Sequence, residues 1–175
     1  MDYFELYDIE ESFDIDESLV KSKFYELSKK FHPDFYINES QEKQQEILEL
    51  STVNNKAYQV LSNPTKRIEY ILIKHNLISE GEKYQLPSDF LMEMMDVNEK
   101  LMDLEIERDT EILDSVQKEV EEIEDGLSGE LKRYTIDYAE RPADEKISDL
   151  LKIKDLYYRQ KYLWRIRESL KKFQS

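Results

Sequence analysis

Ile112, Val116, Val120, Ile123, Leu127, Leu131, Tyr134 and Tyr138 recur at intervals of three and four residues, and the stripe keeps phase straight through Gly126 and Gly129. That spacing puts every one of these side chains on one face of an α-helix. A glycine inside a helix costs only about 1 kcal/mol relative to alanine, so the unbroken stripe predicts one long helix rather than two. A helix with one apolar face must bury it. Two further stripes are available: Phe90, Met94, Val97, Leu101 and Leu104, and, after Arg141-Pro142, Ile147, Leu150, Leu156, Leu163, Ile166 and Leu170. Three amphipathic helices that can cover only one another imply a three-helix bundle over residues 88–175.

The first 76 residues follow the same period in shorter pieces. Val20, Phe24, Leu27 and Phe31 mark a helix from about Ser18 to Phe31, with Asp14-Ile15-Asp16-Glu17 as its capping pattern. Ile47, Leu50, Asn54, Ala57 and Leu61 mark a second, from about Ser40, and the small Ala57 permits close approach of a neighbour. Two such helices joined by a short loop form an antiparallel hairpin. Pro64 opens a further short helix, at a position where its missing N–H is harmless. The polar stretch around Gly81, residues 77–87, reads as a linker between the hairpin and the bundle. The expected architecture is all-α.

Composition closes off other classes. With three glycines and four prolines in 175 residues there are too few turn-formers for an all-β fold. Cysteine is absent, so disulfides, zinc–thiolate sites and cluster ligation by this chain are excluded. No apolar run reaches the roughly 18 residues that a membrane span needs. The acidic opening MDYFELYDIEESFD has no basic-then-apolar leader, and a cytoplasmic protein is expected. The net charge of −15 repels phosphates and speaks against nucleic acid as a partner.

The charge is also segregated. Ser79 to Asp125 holds 17 acids against 4 bases, and Lys152 to Lys172 holds 8 bases against 2 acids. Helices carrying these segments attract one another when they lie side by side.

One of only two histidines sits in Lys29-Lys30-Phe31-His32-Pro33-Asp34-Phe35-Tyr36, between the hairpin helices. As a general base His32 lacks a nearby nucleophile and oxyanion donors. As a metal ligand it has only distant His75 and no cysteine for company. Taken by themselves, His32 and Asp34 are residues that cap and turn a chain. No enzymatic activity and no cofactor are expected.

The tripeptide His32-Pro33-Asp34 between two antiparallel helices resembles the signature of J-domains. Around it stand Tyr3-Phe4-Glu5-Leu6, Phe24-Tyr25-Glu26-Leu27-Ser28, the helix Asn54 to Leu61, and Ser62-Asn63-Pro64-Thr65-Lys66-Arg67, which is similar to the Asp-Pro-x-x-Arg turn closing such domains, with Asn for Asp. In the second half, Phe90-Leu91-Met92-Glu93 running into Asn98-Glu99-Lys100-Leu101 looks like the FLME segment of HscB-type co-chaperones. The resemblance covers essentially the whole chain. It implies a J-domain at 1–76 and a scaffold-binding bundle at 88–175.

It further implies an Hsp70-type partner (HscA or DnaK-like) whose ATPase is stimulated through His32, Pro33 and Asp34, with Lys21, Lys29 and Lys30 of the preceding helix in contact. That helix carries four lysines against the single acid Glu26, which suits steering toward an acidic surface. The second implied partner is an IscU-like Fe–S scaffold protein, held by Leu91, Met92, Met95, Asp96, Glu99 and Asp103, with Tyr158 completing the surface. Leu91, Met92, Met95 and Met102 indeed fall outside the buried stripe of their helix, and methionine suits an adaptable contact face. The chain departs from the family where Phe35-Tyr36 follow the tripeptide, in place of a Lys or Arg. A general J-domain co-chaperone with another client is the alternative. A structural helical protein with an incidental tripeptide is the third reading.

Overall fold

The computed structural model describes residues 1–174. Among them the regular elements are helical: α1 (Tyr3–Leu6), α2 (Glu17–Lys30), α3 (Gln41–Leu61), α4 (Pro64–Lys74), α5 (Ser88–Ile106), α6 (Thr110–Thr135) and α7 (Ala143–Lys171), with 3₁₀ turns at Pro33–Tyr36 and Tyr138–Glu140. The chain clusters into two compact units. One is Met1–His75 with Ile136–Arg141; the other is Asn76–Thr135 together with the chain from Pro142 onward.

In the first unit α2 and α3 form the hairpin, and α1 and α4 pack on α3. Helix α2 starts at Glu17, one residue before the expected Ser18. Asp16, rather than Asp14, is the cap, accepting from Ser18 N at 2.8 Å. Ser40 caps α3, and Asn63 accepts from both Thr65 N and Lys66 N ahead of α4. Val20, Leu27, Phe31, Ile47, Ala57 and Leu61 are buried as the period required.

Two buried polar side chains tie these helices together. Asn54 accepts from the Tyr7 hydroxyl at 2.9 Å and donates to Phe24 O and Ser28 Oγ. Arg67 donates to Leu61 O from two of its nitrogens and to Phe13 O from the third. Its guanidinium thus joins the α3–α4 corner to the segment before α2. Burial pulls the Arg67 pKa down, and the carbonyls satisfy the donors in place of water. At the α4 end, Lys74 is held between Asp2 and Glu11. Burial works against its charge, but the hydrogen bonds to these carboxylates outweigh it and raise its pKa.

The second unit is built from α5, α6 and α7. Phe90, Met94, Val97, Val116, Val120, Leu127, Leu156 and Leu163 are at its centre. Helix α6 runs unbroken through Gly126 and Gly129, neither of which meets anything within 4 Å where a Cβ would stand. The segregated charges do link the helices. Arg167 of α7 grips Glu124 of α6 with two parallel hydrogen bonds, Lys172 pairs with Glu105 of α5, and Lys154 pairs with Glu82.

Three expectations are corrected. The stripe of α6 does not reach Tyr138: the helix stops at Thr135, and Asp137 takes φ +58°, in the left-handed region. Past that reversal helical phase has no meaning, and Tyr138 lies edge-on against Phe13, 4.9 Å between ring centres, in the first unit. Ile147 is 64% exposed, because the buried face of α7 runs instead through Leu150, Ile153, Leu156 and Tyr157. Residues 77–87 are not a free linker. Gly81 turns the chain at φ +76°, a conformation natural only to glycine, and Tyr84 then stacks on Tyr158 of α7 at 4.5 Å.

Candidate functional site

The corner after α2 is built by its own residues. His32 lies in extended backbone and caps the 3₁₀ turn Pro33–Tyr36, its Nδ1 accepting from Asp34 N at 3.3 Å. Pro33 occupies the first position of that turn, where its fixed φ suits the geometry. Phe35 N donates to His32 O, and the Tyr36 hydroxyl reaches back to Lys30 O at 2.7 Å. From α3, Gln44 donates to Ile37 O and Glu39 O and so fixes the far end of the loop. The turn is rigid, yet its polar groups are open: the side chains of His32 and Asp34 are 53% and 79% exposed. An accepting Nδ1 leaves the imidazole proton on Nε2, facing no partner among the described residues. Phe35 lies edge-on to the His32 ring and is itself exposed.

Lys21, Lys29 and Lys30 are exposed on α2. Lys30 lies over the Phe31 ring at 5.6 Å. Lys23, by contrast, is paired with Glu26 at 4.0 Å. The corner therefore presents an imidazole, a carboxylate and an aromatic ring beside lysines that have no acidic partner among the described residues.

The second candidate surface lies on α5. Phe90, Met94, Val97 and Leu104 turn into the bundle, while Leu91, Met92, Met95 and Met102 stand in solvent. At 3.6 residues per turn, Leu91, Met95, Met102 and Ile106 form one ridge. Met92 lies beside it among Asp96, Glu99 and Asp103, all exposed and without ion partners among the described residues. The acids thus border the apolar ridge along one side.

Tyr158, which the resemblance adds to this surface, donates from its hydroxyl to Glu82 at 2.9 Å and stacks on Tyr84. Tyr162, four residues on, packs its ring edge on Phe90 of α5, and its hydroxyl accepts from Asn98 at 2.8 Å. Sequence reasoning missed Tyr162 and Ile106. The periodicity of α7 is blurred by apolar residues all round, and Ile106 is the last residue of α5, beyond the predicted stripe. Among the described residues no group of three or more His, Cys, Asp or Glu side chains is placed to hold a metal ion, and no helix is long and apolar enough to cross a membrane.

Comparison with known proteins adds to this geometry. Residues 2–70 match the DnaJ domain family, and residues 86–171 match the family described as the HSCB C-terminal oligomerisation domain. The chain belongs to the HscB family of J-domain proteins. A relative described as a co-chaperone protein HscB homolog, from Vibrio parahaemolyticus, is 39% identical over 59% of this chain and 61% of its own length. The co-chaperone protein HscB of Proteus mirabilis is 34% identical over 65% and 66%. These alignments thus span less than two thirds of the curated relatives. Human co-chaperone protein HscB has a similar structure, with TM-score 0.68 and 29% identity, covering 98% of this chain and 81% of that one. Chaperone HscB from Vibrio cholerae shares the fold, with TM-score 0.64, 24% identity and coverage of 99% and 98%.

Proposed function

We propose that this HscB-family chain is a co-chaperone that stimulates the ATPase of an Hsp70-type chaperone, HscA or DnaK-like, and delivers an IscU-like Fe–S scaffold protein to it. The observation that carries the reading is the His32-Pro33-Asp34 corner, rigid in backbone and open in side chain, in a DnaJ domain. A group that acts on a partner must be held in place without being packed away, and this corner meets both conditions.

The corner docks on the Hsp70 with His32 and Asp34 as its polar contacts, and Lys21, Lys29 and Lys30 steer the approach electrostatically. Leu91 and Met95 of the ridge, with Met92 beside it, grip the scaffold. Burial of the methionines supplies affinity, and Asp96, Glu99 and Asp103 set orientation at the rim. Holding both partners on one chain raises the local concentration of scaffold at the Hsp70. The chain forms and breaks no bond itself; the cluster is cargo on the scaffold.

Steady-state ATPase assays with a bacterial Hsp70 test the corner. Stimulation is expected from the native chain and its loss from His32→Gln, with melting temperature unchanged. Equal stimulation by both chains would remove the reading. Capture of an IscU-like scaffold decides the client: stimulation without capture would favour a general J-domain co-chaperone.

A further inference from the structure

The second unit carries a concavity that neither docking surface uses. Residues 82–86 run beside α7, and between them lies a cleft of about 620 Å³. Its wall is fixed. Tyr84 stacks on Tyr158 with ring planes 9° apart and donates to Asp155 at 2.8 Å, while Glu82 accepts from Lys154 and from the Tyr158 hydroxyl. Burial, then the contact with Asp155, pushes the Tyr84 hydroxyl up to about 12, so it remains a neutral donor at any physiological pH.

The opposite side is one face of α7, where Lys161, Trp164, Arg165 and Glu168 follow at helical spacing. Trp164, the single tryptophan of the chain, is 47% exposed. The charges here are unbalanced. Of the bases from Lys154 to the C-cap of α7, Lys154, Arg159, Arg167, Lys171 and Lys172 all hold carboxylates. Among the described residues Lys161 and Arg165 do not; they lie over tyrosine rings, each at 5.5 Å. Lys83, across the cleft, is likewise without an acid among the described residues. The two acids of the lining are already used, Glu82 by Lys154 and Glu168 by Lys171. A chain of net charge −15 therefore gathers three open cations around an exposed indole.

We propose that this cleft docks an extended acidic segment of a partner protein, with an apolar side chain of the segment on Trp164 and its carboxylates on Lys83, Lys161 and Arg165. The complementarity is of sign and of shape: the space admits a few side chains, not a folded surface. Cations resting on aromatic faces stay available to an incoming anion. The proposal uses no residue of the α5 ridge and stands apart from it.

The test uses the full chain and its own fluorophore. Trp164 emission is followed while a ten-residue peptide of Asp, Glu and two leucines is added at low salt. A saturable change is expected, weakening roughly tenfold as salt rises from about 50 to about 200 mM. Lys161→Glu with Arg165→Glu should weaken binding at least tenfold without changing helicity, since both side chains are exposed. Met92→Ala with Met95→Ala should bind the peptide as the native chain does, which separates this cleft from the scaffold surface. No saturable change, equal binding of an Asn/Gln analogue, or the same change from inorganic phosphate at equal concentration would overturn the proposal. A dimer in sedimentation that the double reversal dissolves would also overturn it, by assigning the cleft to a second copy of the chain.

Discussion

Replacing Met92 and Met95 by alanine probes the proposed scaffold surface with a magnitude that follows from exposure. The two side chains are 68% and 59% exposed. Fully burying a methionine is worth roughly 1.5–3 kcal/mol, so covering what remains open here contributes about 1–2 kcal/mol each. Alanine retains part of that contact, and the pair should lose about 2–3 kcal/mol of binding, a roughly 30- to 150-fold rise in Kd. Folding should hardly respond, because exposed substitutions of this kind move stability by about 0.5 kcal/mol or less.

Met94, between them in sequence, is an internal control. It is fully buried, so Met94→Ala should cost about 2–5 kcal/mol of stability. Titration calorimetry with an IscU-like scaffold measures the first effect and urea unfolding the second, while ATPase stimulation without scaffold should be native in the Met92/Met95 variant. A scaffold Kd within threefold of native would place the docking surface elsewhere. A large fall in stability of the exposed pair would show that these methionines belong to a core.

Other outcomes follow from the same structure. Arg67→Met should lower stability by about 2–5 kcal/mol in urea unfolding, because it strips donors from two buried carbonyls, and Arg67→Lys should not restore it, lacking the fork that reaches both. Asp137→Val should cost about 1–2 kcal/mol in thermal melts, since a branched side chain is strained at positive φ, whereas Asp137→Gly should be near neutral. At Asp2 burial alone would raise the carboxyl pKa, but the hydrogen bond from Lys74 and those from the backbone outweigh it and lower it below the ordinary 3.8. A carboxyl depressed in the folded state stabilises above its unfolded pKa and loses that contribution as pH falls through the lower folded one. Native stability should therefore fall below about pH 4, and Asp2→Asn should show a shallower acid limb in pH-dependent melts.

Much of the first unit was legible because its signals are local. The apolar spacing of α2 and α3 and the Asn63-Pro64 start of α4 need only neighbours in sequence. Within that capping pattern Asp14 and Asp16 can both cap; only the chain's direction on entry chooses between them. The α5 face was legible too, since four buried positions left Leu91, Met92 and Met95 no place inside. Asn54 and Arg67 showed no such sign. Each is one polar letter in an apolar pattern, and its partners lie in other elements.

Period, composition and the tripeptide His32-Pro33-Asp34 by themselves determined that this chain is helical, that its second half is three helices covering one another, and that a turn stands between two of the helices in the first. Tertiary structure alone decided that Tyr138 joins Phe13 rather than α6, that residues 82–84 lie on α7, and that Tyr162 packs on Phe90 of α5. The reason is physical: a repeat of 3.6 residues states which side chains share a face, but which face meets which depends on turns such as Asp137 and on contacts between residues far apart in sequence.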